Sequence, residues 1–250
     1  MTRKSAVVVA HPDDEALWLS SALGAADRVV LCFGDLFQRP KMSAARRRAI
    51  AALPLLGLID LKLPESGGSL SVDWKQPRLT EAGVALADPA AGERYTANFM
   101  ALTAALRPAL AGCTEVYTHN PWGEYGHADH IQVHRAVATL QAELGYTLWF
   151  SNYVGAASWP LAQEIARRPC WAERCAAIPD EALARNLRDI YRRAGAWTWT
   201  RWHRWPKEEV LYAVSPGGPA HSLVGESLLD VAGLRWWPPP WRRARRVLGG

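Results

Sequence analysis

Cysteine is scarce in this chain, with four in 250 residues, and Cys32, Cys113, Cys170 and Cys175 form no Cys-x-x-Cys pair. That excludes a disulfide-framed secreted scaffold. The four read as free buried thiols, with Cys170 and Cys175 the one pair spaced for redox or metal chemistry. Long apolar runs are missing too. No stretch approaches the length of a membrane span, and only Ala6 to Ala10 separates the basic start from His11, too short for a signal-peptide core. The expected location is therefore the cytoplasm. Also absent is the glycine-rich loop that a dinucleotide's pyrophosphate requires after a first strand, and no internal repeat or low-complexity tract is present.

What the chain does have is 49% apolar residues, enough to bury one full core. Length and composition predict a single domain over residues 1–250. Val7 to Ala10, Val29 to Phe33, Leu58 to Leu63, Glu115 to Thr118 and Thr147 to Phe150 read as strands. Helices are expected over Ala16 to Leu23, over Met42 to Leu56 mostly before Pro54, over Ala97 to Leu110 with an interruption near Pro108, and after Asp129. Pro64 to Pro89, with Ser66-Gly67-Gly68-Ser69, reads as a long loop or lid. Alternating strands and helices predict an α/β fold: a Rossmann-like, mostly parallel sheet with helices on both faces. Beyond Ser158 the pattern becomes an irregular C-terminal extension, with a helix from about Asp180 to Arg193 and an extended tail around Pro238 to Arg243.

The formal charge of +5 is concentrated toward the C-terminal end. From Arg185 onward, Arg188, Arg192, Arg193, Arg201, Arg204, Lys207, Arg235, Arg242, Arg243, Arg245 and Arg246 are interleaved with Trp197, Trp199, Trp202, Trp205, Trp236, Trp237 and Trp241. Two readings stand side by side: a solvated basic face over core tryptophans, or a surface for an anionic sugar conjugate or the inner face of an anionic membrane. Nucleic acid fits it least.

Chemistry concentrates in two clusters. Ala10-His11-Pro12-Asp13-Asp14-Glu15 follows the apolar run Ala6 to Val9, so His11, Asp13 and Asp14 fall just past the carboxyl end of a buried strand, where open α/β sheets hold ligands. His119-Asn120-Pro121-Trp122-Gly123-Glu124-Tyr125-Gly126-His127-Ala128-Asp129-His130 follows a second strand in the same way. Both clusters are expected to converge on one crevice. Three protein ligands and a water form a recurring catalytic zinc site, and His11, Asp14 and His130 supply such a set. Asp13 and His127 then remain for proton transfer and oxyanion support, with Asp129 expected to cap the following helix and to hold the His127 tautomer. His134 offers an i, i+4 alternative ligand, and His119 reads equally as site or core.

The two motifs together resemble the LmbE/PIG-L family of zinc-dependent de-N-acetylases, which includes the N-acetylglucosaminyl-phosphatidylinositol deacetylase and the deacetylases of mycothiol and bacillithiol synthesis. The resemblance covers a core of about 5–155, leaving a variable extension of about 156–250. It implies zinc on His11, Asp14 and His130, Asp13 as general base, His127 as general acid or oxyanion stabiliser, and Tyr125 at the mouth near the acetyl carbonyl. The same ligands accept iron(II). The implied activity is hydrolytic removal of an acetyl group from an N-acetylated amino sugar in a glycan, glycolipid or sugar-thiol conjugate. This chain departs from the family pattern after its second strand, where Asp35 replaces a glutamate and the acid of an Arg-x-x-Glu motif is missing from Arg46-Arg47-Arg48-Ala49. His203 and His221 lie outside the resemblance, as candidates for a polar group over the site. The alternatives are a noncatalytic zinc-containing sugar- or lipid-binding module and an amidase for another sugar-linked amide. A metallo-β-lactamase motif, His-x-His-x-Asp-His, fails because Tyr125 takes its first position.

Overall fold

Ser5–Val9 is buried along its whole length and forms the first strand, β1. A continuous apolar run of this kind is suited to a parallel strand covered on both faces. Alternate side chains of β1 enter opposite cores: Ala6 and Val8 join the cluster that contains Leu102, Leu106, Ile131 and Val137, while Val7 and Val9 join the one that contains Leu17, Trp18, Leu187 and Tyr191. Each fully buried valine of this kind contributes about 1.5–3 kcal/mol. The computed structural model describes residues 3–36, 39–217 and 220–234 and the backbone of 245–246.

Beside β1 lie β2 (Arg28–Asp35), β3 (Leu58–Pro64), β4 (Glu115–Thr118), β5 (Thr147–Ser151), β6 (Glu173–Ala177) and β7 (Glu209–Val214). They form one seven-stranded sheet in the order β3-β2-β1-β4-β5-β7-β6. The first five are mutually parallel, and β7 runs antiparallel to both β5 and β6. This is the expected Rossmann-like, mostly parallel α/β sheet. Strand order reverses between β1 and β4, and open sheets of this type hold ligands at such a switch point, beyond the strands' carboxyl ends.

Among the described residues the α-helices are, in chain order, α1 (Asp14–Trp18), α2 (Ser20–Leu23), α3 (Pro40–Ile50), α4 (Pro89–Leu110), α5 (Ala128–Leu144), α6 (Trp159–Ala166) and α7 (Glu181–Ala194). The helix expected over Ala16 to Leu23 is split at Leu19. Helix α4 begins earlier than its apolar pattern suggests, because Asp88 caps it by accepting Ala90 N–H at 3.0 Å and Pro89 occupies its first turn. It also runs through Pro108, whose position in the last turn removes a single backbone donor. The Pro64 to Pro89 segment carries a 3-10 turn, Ser69–Ser71, and a short hairpin, Leu79–Thr80 with Gly83–Val84. It is packed down: Val84 is buried in the core, and the Tyr95 hydroxyl beneath the hairpin donates to the Ala128 carbonyl.

Beyond Ser158, where the sequence pattern loses its regularity, the chain completes the sheet through β6 and β7 and returns α7 against α1, α2 and α3. Of the basic tryptophan segment, Trp205 is buried, with Arg185 and Arg188 over its ring at 5.7 and 5.8 Å, and Trp197 and Trp199 pack against the core. Trp202 is exposed under Arg201. Trp236, Trp237, Trp241, the tail from Pro238 to Arg243 and the side chains of Arg245 and Arg246 lie outside the described residues. Among the described residues no helix is long and apolar enough to cross a membrane. All four cysteines are free; Cys32 and Cys113 are buried as expected, whereas Cys175 is exposed on the edge strand β6.

One buried acid makes stability pH-dependent. Glu209, at the start of β7, is 1% exposed and accepts from the Ser21 and Tyr153 hydroxyls. Burial pushes its carboxyl up to about 7 from an ordinary 4.5. The native state therefore binds more protons than the unfolded chain between those values, so this contribution is full below the lower one and is lost as pH rises through the upper. Glu209→Gln removes the titration. Urea unfolding at pH 5 and pH 8 is expected to show the wild type losing about 2.5 kcal/mol more than the variant over that interval.

Candidate functional site

The loop after β1 and the loop after β4 meet at the switch point. Ala10 N–H donates to His119 Nε2 at 2.8 Å, which makes that nitrogen an acceptor and places the His119 proton on Nδ1, 3.1 Å from Glu124 Oε2. Asn120 ties the second loop to the end of β5 by donating to the Tyr153 carbonyl at 2.8 Å, while its Oδ1 accepts Glu124 N–H. Gly123 and Gly126 hold φ of 73° and 98°. A Cβ on the first would lie 2.6 Å from the His127 carbonyl oxygen and on the second 2.9 Å from Ala157 Cβ, so only glycine permits this turn.

At the centre, His11 Nδ1 lies 3.1 Å from Asp14 Oδ2, and His130 Nε2 lies 3.2 Å from the same oxygen. His130 Nε2 is fully buried and makes no hydrogen bond among the described residues. A solvent-excluded nitrogen lone pair aimed at a carboxylate is poorly satisfied by protein alone; a cation between them satisfies both. Each imidazole is backed by an acid. Glu124 Oε2 sits 2.6 Å from His130 Nδ1, and Asp129 Oδ2 sits 3.3 Å from His11 Nε2. Such carboxylate–histidine pairs fix which ring nitrogen faces a metal.

The electrostatics agree. Burial opposes charge on Asp14, yet His130 and His11 hold it well below the usual carboxylate range. Burial also opposes protonation of His11 and His130, but Glu65, Asp129 and Asp14 raise the first to about 10, and Asp14 and Glu124 raise the second to about 9. The cluster demands positive charge at its centre. Nitrogen and carboxylate donors around a negative pocket fit a divalent cation, and the groups His11/His127/His130, Asp14/His119/His130 and His11/Glu65/Asp129 each bring ligand atoms within 4.8 Å of one another.

The remaining expected residues fall around this centre. Asp13 is 1% exposed and holds φ 106°, and it caps nothing: its Oδ2 accepts Thr198 N–H at 2.9 Å and Thr198 Oγ1 at 2.8 Å. Burial and the Asp14 carboxylate push Asp13 up to about 7. His127, not Asp129, caps α5, its Nδ1 accepting Asp129 N–H at 3.3 Å. The Asp129 carboxylate therefore does not set the His127 tautomer as expected; it faces His11 and accepts from Ser66 Oγ at 3.1 Å. Because Nδ1 of His127 accepts, its proton sits on Nε2, and burial together with His11 and His130 holds the ring neutral, well below its usual range. Tyr125 stands half-buried with its ring 5.4 Å from that of His130 and 4.8 Å from that of Trp199.

His134 turns away, its Nδ1 2.7 Å from the His119 carbonyl, and both ring nitrogens of His119 already have protein partners, Ala10 N–H and Glu124. His203 is buried behind Trp18 and against Trp205, and His221 pairs its backbone with Trp171; neither lines the cleft. Glu124, Glu65 and Thr198 were not singled out in the sequence. Glu65, just past β3, pairs with Arg46 at 2.5 Å. The cleft over the centre has a volume of about 290 Å³. His11, Asp13, Asp14, Arg46, Glu65, His127 and Thr198 give it a polar lining, to which Leu17, Leu36, Tyr125 and Trp199 add apolar and aromatic groups.

Glu124→Gln tests the backing of His130. The variant is expected to lower metal affinity about 10- to 100-fold, read by competition with a chelating indicator. An unchanged affinity would mean that Glu124 merely staples the loop.

No family model matches the chain, and no curated protein matches it in sequence. The fold is similar to solved structures. One is described as a deacetylase–teicoplanin complex from the teicoplanin biosynthesis pathway, with 13% identity, TM-score 0.57, and coverage of 85% of this chain and 98% of that one. Another is the A40926 pseudoaglycone deacetylase Dbv21, with 14% identity, TM-score 0.52, and coverage of 85% and 97%. A third is the zinc-inhibited form of teicoplanin deacetylase Orf2, with 13% identity, TM-score 0.53, and coverage of 85% and 98%.

Proposed function

We propose that the protein is a metal-dependent de-N-acetylase, a carbon–nitrogen hydrolase that releases acetate from an N-acetylated amino sugar within a larger conjugate. The observation that carries this reading is the meeting of His11 Nδ1 and His130 Nε2 on Asp14 Oδ2, with Asp13 alongside. In this reading His11, Asp14 and His130 hold the metal, zinc or iron(II), and Asp13 and His127 carry out proton transfer and charge stabilisation. The similarity in fold to solved structures described as deacetylases supports the reaction class.

When bound, the metal supplies Lewis acidity toward the acyl oxygen and toward water. Asp13 accepts the proton of the attacking water. Water oxygen bonds to the acyl carbon, the C–N bond breaks, and the proton held by Asp13 passes to the departing amine, leaving acetate and a free amino sugar. His127, neutral with its proton on Nε2, is suited to donate a hydrogen bond to the developing oxyanion. That favours oxyanion support over general acid among its two expected roles, since a neutral imidazole is a poor proton source. The polar lining suits sugar hydroxyls, and Tyr125 with Trp199 offers aromatic faces to a sugar ring.

Acetate release by the metal-loaded protein from a panel of N-acetylglucosamine conjugates tests the proposal. Release from at least one conjugate is expected. No release from any member with metal bound would leave a binding module or an amidase for a different acyl group.

A further inference from the structure

The C-terminal part of the chain reaches Asp13 from two sides. An aspartate preceding a helix ordinarily turns its carboxylate onto the first free N–H groups of that helix. Asp13 does not: it precedes α1 without any side-chain capping bond, and its backbone sits at φ 106°, a region costly for a residue with a Cβ. Strain of this kind persists where surrounding groups over-determine it. Here the Asp13 N–H donates to Glu15 Oε2 at 3.1 Å, and Glu15 Oε1 accepts the Tyr191 hydroxyl of α7 at 2.8 Å. The Asp13 carboxylate is held separately by Thr198, which follows α7.

The segment bearing Thr198 is anchored. Gly195, at φ 76°, ends α7, and Ala196, fully buried, donates back to the Tyr191 carbonyl at 2.8 Å. Trp197 and Trp199 on either side of Thr198 pack against the core, the Trp199 ring lying 5.2 Å from that of Trp18. Thr198 itself is largely exposed, yet it gives both its donors to a buried carboxylate. Both go to Oδ2, which leaves Oδ1 as the Asp13 oxygen without a hydrogen bond among the described residues.

We propose that Thr198 is a positioning residue for Asp13: its N–H and hydroxyl clamp Oδ2 and so present Oδ1 to the cleft. The inference rests on the reading of Asp13 as the base of an amide hydrolase. It also makes the segment after α7 part of the reactive apparatus. Removing the hydroxyl loosens the carboxylate without touching His11, Asp14 or His130, and a valine keeps the volume of this cleft-lining side chain.

Two measurements test it. Thr198→Val keeps the branched shape and loses the hydroxyl; kcat for acetate release is expected to fall about 10-fold with KM and metal stoichiometry essentially unchanged. Thr198→Ser is expected to recover most of that loss. A serine variant as slow as the valine one, or a loss confined to KM, would overturn the proposal. Independently of any activity, amide hydrogen exchange at Thr198 is expected to be slow in the wild type and about 10-fold faster or more in Asp13→Ala. Equal exchange in the two proteins would overturn the clamp. Slow exchange released by Asp13→Ala in a protein that frees no acetate would support the clamp and reject the deacetylase reading.

Discussion

Asp13→Asn is expected to lower kcat for acetate release by about 10²- to 10⁴-fold, the usual contribution of a general base, while the protein retains its full complement of metal. The expectation follows from what asparagine keeps. Asparagine tolerates the left-handed backbone at this position better than most residues, and its side-chain oxygen still accepts the two Thr198 donors that now hold Oδ2. What it loses is the capacity to take up a proton. In the proposed centre the metal is held by Asp14 instead, whose Oδ2 meets His11 and His130 and whose Oδ1 is held by Trp18 Nε1 at 3.0 Å. Metal content measured by elemental analysis beside the kinetics checks the prediction. Loss of metal in the variant would move Asp13 into the ligand set, and near-wild-type turnover would remove it from the reaction.

The complementary result is expected from His130→Ala: metal affinity falls on the order of 10³-fold, and activity is lost with it. This substitution removes the buried Nε2 that makes no hydrogen bond among the described residues. The fold is expected to survive, because Glu124, held down to about 2 against the effect of burial by His119 and His130, keeps the His119 imidazole and the Asn120 N–H as partners. A thermal melt beside the metal titration separates the two effects. Stoichiometric tight metal in a folded His130→Ala protein would contradict the assigned centre.

Legibility in the sequence followed locality. The valine run of β1 and the polar residues immediately after it lie within one short segment, and the same holds for β4 and the loop that follows, so periodicity and strand-end logic placed both clusters at one edge. The groups that support them were not readable. Glu124 lies inside a motif rich in histidine, and its role depends on a turn that brings its carboxylate between His119 and His130. Thr198 and Glu65 reach the site from just past α7 and β3, far along the chain, and no local spacing announces such a contact. The misassigned role of Asp129 has the same origin: proximity in sequence pointed to His127, whereas the fold turns its carboxylate to His11. Strand β6, Glu173–Ala177, carries no β-branched or aromatic residue and is largely exposed, so it has no strand pattern of its own, and only its pairing with β7 makes it part of the sheet.

Anomalous diffraction at the absorption edge of the bound metal, from crystals of the metal-loaded protein, tests the central claim most directly. A single peak is predicted within about 2.3 Å of His11 Nδ1, one Asp14 carboxylate oxygen and His130 Nε2, at ordinary zinc-ligand distances, with Asp13 beside it and not bonded. A peak seated instead on Glu65 and Asp129, or no peak near Asp14, would contradict the account.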